Sequence, residues 1–142
     1  MRIMHINYGA SPIVSGGVIN HMETIAFLEA QAGHSILVLA AGLEDSNIKE
    51  PYLRYGETDG YKIVYIFNSN PQLSAENPIA DHFDNPVFNS ILIKMCQDFA
   101  PHVIVFHSLQ KIGVEAVRVA RKFAPVIFWL HNYWVFCPLQ IC

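Results

Sequence analysis

Two adjacent glycines, Gly16 and Gly17, stand between an apolar run that opens at Ile3 and an amphipathic segment that opens at Val18. This order is typical of a strand, a turn and the start of a helix. Glycine has no Cβ, so a ligand can approach the backbone closely, and the first N–H groups of a helix lack intrahelical partners. The turn is therefore a candidate phosphate-binding site. A turn that only requires a positive φ is the alternative interpretation.

Two histidines follow apolar runs later in the chain. His107 comes directly after Val103–Phe106, and His131 comes after residues 126–130. An imidazole can hydrogen-bond a sugar hydroxyl or a phosphate, and an unperturbed imidazole titrates near neutral pH. In neighbouring parallel strands both side chains would open onto one crevice. A histidine that is hydrogen-bonded locally at a strand end is the alternative, and it weighs more for His107 than for His131.

The other histidines and cysteines considered are weaker candidates for a functional site. His5 lies within an apolar run and is expected in the core, whereas His21 is expected on the surface of the first helix. Cys137 and Cys142 could form half of a zinc or iron–sulfur site if more ligands followed. Three cysteines in all, with Cys96, are too few for a disulfide framework, so we expect ordinary reduced thiols and no metal.

Composition excludes several classes of protein. The 142 residues are enough for one domain with an ordinary core. With 9 Lys and Arg and a net charge of −3, the chain has no basic stripe for nucleic acid. The apolar runs are too short for a membrane span, and no secretory signal opens the chain, so a cytoplasmic location is expected. The dinucleotide fingerprint and the Walker A loop are missing, which disfavours NAD and P-loop chemistry.

Strands and helices must alternate to position these residues. Apolar spacing of about 3.6 residues predicts helices, and continuous apolar runs predict strands that are buried on both faces. Polar sequence over 42–60 predicts turns, and 68–85 predicts a long loop that is a binding loop, a lid or disordered. The predicted strands are 2–7, 36–40, 61–67, 102–107 and 126–130, and the predicted helices are 18–32, 86–100 and 112–123.

This alternation predicts an α/β fold, a Rossmann-like open and mostly parallel sheet with helices on both faces. In such sheets ligands bind beyond the carboxyl ends of the strands. The candidate residues all follow predicted strands. We therefore expect them to share one crevice.

The motifs and their order resemble the N-terminal domain of GT-B glycosyltransferases, most closely the retaining group with a subfamily 4-like N-terminal domain. The resemblance rests on residues 15–18, 32–34, 103–108 and 129–132, and it covers nearly the whole chain. In that family two Rossmann-like domains face each other. The C-terminal domain holds most of the nucleotide-sugar donor, and the N-terminal domain mainly holds the acceptor.

The resemblance implies a role for each candidate residue. It places Gly16 and Gly17 near the donor diphosphate and makes His131, beside the transferring sugar, the catalytic residue. The family commonly has His-Asp where this chain has His131 and Asn132, so no charge-based role carries over to the second position. The acceptor side would be lined by His107, Ser108, Asn132 and Tyr133.

The resemblance also implies partners. These are a nucleotide-sugar donor as co-substrate, a hydroxyl acceptor such as a glycan or lipid, and a C-terminal donor-binding domain that lies outside these residues. No tightly bound cofactor is implied. We expect negligible sugar transfer by the 142 residues alone, and the apolar composition allows self-association through an exposed interface.

Two other classes of function stay open. A stand-alone nucleotide- or sugar-binding module, or a regulatory half-protein, could use the same fold, because fold does not fix function. A small enzyme of the flavodoxin-like kind could use the glycine turn for a phosphate.

Overall fold

Strands and helices alternate in the computed structural model, which describes residues 1–58, 60–69 and 83–131. Within these residues there are six strands and three helices. In chain order they are β1 (Arg2–Asn7), α1 (Gly17–Gln31), β2 (Ser35–Leu43), β3 (Tyr52–Thr58), β4 (Tyr61–Phe67), α2 (Pro86–Phe99), β5 (Val103–Phe106), α3 (Glu115–Ala120) and β6 (Val126–Phe128).

The described strands form one open sheet in the order β3-β4-β2-β1-β5-β6. All neighbouring pairs are parallel except β3 and β4, which form an antiparallel hairpin. The predicted α/β class with a mostly parallel sheet is thus confirmed. Because β1 lies between β2 and β5, the turn after β1 lies in the middle of the sheet.

Side chains of the strands alternate between two helix-covered faces, as the pleat requires. On one face Met4 and Ile6 of β1 belong to a core that includes Phe88 of α2 and Ala116 of α3. On the other face Ile3 belongs to a second core with Met22 and Ala26 of α1. Helices therefore cover both faces, as predicted.

Strand β3 was not predicted, because its stretch of sequence is polar. Its side chains are exposed or half-buried, since β3 is an edge strand paired only with β4 among the described residues. The apolar content on which the prediction relied is therefore low here. The hairpin is closed through pairing with the buried strand β4, which the sequence did predict.

Helix α3 is shorter than the predicted helix over 112–123. Lys111 and Gly113 both have positive φ, 62° and 91°, so the backbone cannot be helical before residue 114. After Ala120 the chain continues in tighter turns, with Lys122 N bonded to Val119 O. The predicted helix is therefore correct in place and wrong in length.

Other predicted boundaries shift less. Strand β2 runs to Leu43, beyond the predicted end at residue 40, and β6 ends at Phe128, before the predicted end at 130. Most of the predicted loop over 68–85 lies outside the described residues. No helix in the described part of the chain is long and apolar enough to cross a membrane.

Helix α2 begins where its capping residue predicts. Asn85 Oδ1 accepts a hydrogen bond from Phe88 N at 3.0 Å, and Pro86 occupies the first helical position. The helix ends at Phe99, and the capping residue Ala100 has the left-handed φ of 48° just before Pro101. This end is consistent with the expected stop at proline.

We expect Asn85→Ala to lower the free energy of unfolding by about 2 kcal/mol, because it leaves Phe88 N without its cap and removes the hydrogen bond from Asn85 Nδ2 to Lys111 O. Urea denaturation monitored by circular dichroism measures this. Asn20→Ala is the matched control, since Asn20 is an exposed side chain within α1. Equal destabilisation by both substitutions would contradict the capping role of Asn85.

Candidate functional site

The carboxyl ends of the parallel strands form one edge of the sheet, called here the carboxyl edge. Ile6 of β1 pairs with Phe106 of β5, and Phe106 pairs with Phe128 of β6. The residues that follow these strands therefore emerge side by side. The turn that leads to α1 follows β1, His107 follows β5, and His131 lies three residues beyond β6.

A hydrogen-bonded series runs inward from this edge: His131, His107, His5 and Glu29, called here the histidine chain. His131 Nε2 lies 3.1 Å from His107 Nδ1, and His107 Nε2 lies 2.9 Å from His5 Nδ1. His5 Nε2 in turn lies 2.7 Å from the Glu29 carboxylate of α1. Both nitrogens of each inner ring are thus hydrogen-bonded.

Burial keeps His107 uncharged within the histidine chain. His5 and His107 are each only 1% exposed. Burial, with help from His5, His131 and His21, lowers the pKa of His107 from 6.5 to about 3. Burial and then His21 also lower the pKa of His131. At neutral pH, therefore, His107 acts as a neutral hydrogen-bonding group.

His21 joins this cluster, although it was expected on the surface. Its ring lies edge-on to Trp129 and to His131, with centroid distances of 4.7 and 4.9 Å. His21 is half-buried, and the rings that lie against it belong to residues that follow β6. The spacing along α1 could have indicated that His21 and Glu29 belong to one site. Glu29 follows His21 by about two helical turns, so the two residues lie on the same side of the helix.

His5 was expected in the core, and it is buried there. Its polar contacts were not foreseen. The alternation of β1 places His5 on the face that packs against α1, opposite to Met4 and Ile6. A buried histidine on that face needs partners, and Glu29 and His107 provide them.

The start of α1 lacks a side-chain cap. Gly16 is the N-cap residue, with φ of 155° and ψ of 169°, and no side chain accepts a hydrogen bond from the first turn. The first turn also has no acidic residue. In contrast, the start of α2 is capped by Asn85. The first N–H groups of α1 are thus available to an anion.

The two glycines differ in what the backbone requires of them. Gly16 needs to be glycine, because its φ and ψ lie in a region that is essentially closed to other residues. Gly17 has no such requirement, and a Cβ there would meet nothing within 4 Å among the described residues. The positive-φ interpretation thus accounts for Gly16 and leaves Gly17 unexplained.

Two buried polar atoms near the carboxyl edge have no hydrogen-bond partner in the described part of the chain. They are Nδ2 of Asn7, the last residue of β1, and Nε2 of His21. Asn7 is fully buried, and its Oδ1 accepts from Tyr8 N. Unpaired buried polar atoms are costly, so a bound ligand at this edge that hydrogen-bonds them would remove that cost.

The other predicted site residues are placed as follows. Ser108 is buried, and its Oγ accepts a hydrogen bond from Gln110 N, which shapes the loop after β5. Asn132 and Tyr133 lie outside the described residues, as do Cys137 and Cys142. Seven site residues were predicted, and five of them lie among the described residues. All five lie at the carboxyl edge: Gly16, Gly17, His107, Ser108 and His131.

The histidine chain does not form a metal site. Its ring nitrogens face one another in pairs and do not converge on a common point. Across residues 1–58, 60–69 and 83–131, no group of three or more histidine, cysteine or acidic side chains could hold a metal ion.

A cavity of about 560 Å³ lies at the opposite edge of the sheet. It is bounded by the β3–β4 hairpin and the C-terminal part of α2, with Tyr55, Lys62 and Asp98 in its lining. None of the residues predicted for the site lines it. The carboxyl edge is therefore a separate surface.

No protein-family model matches the chain, and no curated protein is significantly similar to it.

We expect acid to destabilise the protein through His107. The unfolded chain binds a proton near pH 6.5, whereas the folded chain keeps His107 neutral down to about pH 3. The free energy of unfolding should therefore fall below pH 6.5, by up to about 1.4 kcal/mol per pH unit for this one group. Urea denaturation at a series of pH values measures the slope.

His107→Gln should flatten this slope, because glutamine does not titrate. His102→Gln is the matched control, since His102 is exposed at the amino end of β5, away from the histidine chain. If His107→Gln keeps the wild-type slope, His107 is not the group responsible.

Proposed function

We propose that this chain is the acceptor-side half of a GT-B sugar transferase, which transfers a sugar from a nucleotide-sugar donor to a hydroxyl acceptor. One observation carries the proposal: the uncapped start of α1 and the outer end of the histidine chain lie at the same edge of the sheet. They are linked by His21, which lies one turn after Gly17 and contacts His131. That is the edge at which ligands bind in open α/β sheets.

The start of α1 suits the diphosphate of the donor. The unpaired N–H groups and the positive end of the helix dipole favour negative charge. The absence of a Cβ at Gly17 lets a phosphate approach the backbone. Asn7 at the end of β1 adds a buried amide donor without a partner among the described residues.

His131 suits the sugar. Its pKa is lowered by burial, which favours a neutral ring that hydrogen-bonds a hydroxyl group. Trp129 lies beside it, with the two rings nearly parallel and its side chain partly exposed. An aromatic face of this kind can stack on a sugar ring. In this proposal His107 acts behind His131, because it is too deeply buried to reach an acceptor.

A stand-alone nucleotide-binding module is the second candidate. The uncapped helix start favours it equally, because anion binding there does not require a sugar acceptor. The two candidates differ in strength of binding. A half-site provides one wall of the cleft and should bind the donor weakly, whereas a complete module should bind its nucleotide tightly by itself.

Titration of the labelled protein with UDP-glucose, GDP-mannose and flavin mononucleotide, followed by amide NMR shifts, tests the proposal. We expect nucleotide sugars to shift the amides of residues 16–19 together with those near His131, with millimolar affinity. Micromolar binding of one nucleotide would favour the stand-alone module. Shifts confined to other surfaces would contradict both.

Gly17→Ala should weaken ligand binding without lowering the stability of the fold. We expect the free energy of unfolding to stay unchanged or rise by up to about 1 kcal/mol, because alanine is the better helix former. Binding of the nucleotide sugar should weaken, because the methyl group occupies the approach to the backbone. Denaturation and the NMR titration measure the two effects.

Gly16→Ala is the comparison variant. We expect it to lower the free energy of unfolding by about 1–3 kcal/mol, since its backbone conformation excludes a side chain. If Gly17→Ala leaves the binding of every nucleotide sugar unchanged, the start of α1 does not hold the diphosphate.

A further inference from the structure

The hydrogen bonds of the histidine chain all run in one direction, from His131 as donor toward Glu29 as acceptor, and Glu29 determines that direction. A carboxylate can only accept hydrogen bonds, so His5 must donate to Glu29 through Nε2. We take His5 as a neutral imidazole, which has one N–H and one acceptor nitrogen. His5 Nδ1 is therefore the acceptor, and it must receive its hydrogen bond from His107 Nε2.

The same reasoning extends to the edge of the sheet. His107 donates through Nε2, so its Nδ1 accepts, and the donor to it is His131 Nε2. His131 is then left with an unprotonated Nδ1. Burial keeps the pKa of His107 far below neutral, so His107 does not interrupt the histidine chain as a charged ring.

We infer that Glu29 fixes His5, His107 and His131 in a single set of tautomers, so that His131 offers a hydrogen-bond acceptor at the carboxyl edge and selects ligands that donate there. A hydroxyl or ammonium group would satisfy His131 Nδ1. A phosphate or carboxylate oxygen at that atom would face a lone pair and be repelled. Glu29 and His5 are thus positioning residues that act through His107.

The other described side chains around the histidine chain do not impose the opposite direction on its hydrogen bonds. His21 contacts His107 and His131 through its ring, at centroid distances of 6.2 and 4.9 Å. Its Nε2 has no partner among the described residues. Trp129 stacks on His107 and has no acceptor atom in its side chain. Glu29 is the one carboxylate bonded to these rings within the described residues.

Imidazole nitrogen NMR on protein with 15N-labelled histidine tests the inference directly, because protonated and unprotonated ring nitrogens have distinct shifts. At neutral pH we expect His5, His107 and His131 each to carry the proton on Nε2. A proton on Nδ1 in any one of the three would overturn the inference. This measurement needs no variant and no ligand, so its result is separate from that of the proposed function.

Substitution of Glu29 tests the cause. Glu29→Lys replaces an acceptor with a donor, so we expect all three rings to reverse and carry the proton on Nδ1. Gln31→Lys is the matched control, since Gln31 is an exposed residue at the end of α1, and it should keep the wild-type tautomers. Wild-type tautomers in folded Glu29→Lys protein would show that Glu29 does not set the direction.

Glu29→Met provides a second variant if the lysine variant does not fold. Methionine is similar in size and has no strong hydrogen-bonding group, so the single set of tautomers should be lost. We expect mixed or averaged nitrogen shifts for His5 and His107. Retention of the unmixed wild-type pattern would overturn the inference.

Discussion

The site depends on the cost of burying imidazoles in the middle of a sheet. His5 and His107 are almost completely buried, and a buried polar ring without partners would cost on the order of 1–3 kcal/mol. The structure avoids this cost by joining ring to ring and ending the series on Glu29. This arrangement couples β1, β5 and α1, and it holds His131 at the carboxyl edge.

The same edge has a second polar feature, the uncapped start of α1. Stability alone would favour a capping side chain there, as Asn85 provides for α2. The chain instead has Gly16 and Gly17, and it leaves Asn7 Nδ2 buried without a partner in the described residues. Features that lower stability and cluster at one edge are typical of binding sites, which is why a ligand site is the preferred interpretation.

Much of the fold followed from local pattern. Long apolar runs predicted β2 and β4, and Asn85 with Pro86 predicted the start of α2. The hairpin strand β3 was missed, because an edge strand needs little apolar sequence when a buried neighbour supplies its hydrogen bonds. The predicted length of α3 was wrong, since Gly113 has a positive φ of 91° and the chain after Ala120 continues in tighter turns, and apolar periodicity registers neither feature.

The sequence by itself determined which residues follow the parallel strands, and hence that the glycine turn, His107 and His131 would share an edge. It could do so because a helix between consecutive strands acts as a crossover connection that keeps those strands parallel. Only the tertiary structure decided that His5, His21 and Glu29 belong with them. Those contacts join residues that are far apart in the chain, and they depend on how α1 packs over β1 and β2, which the periodicity of α1 alone does not specify.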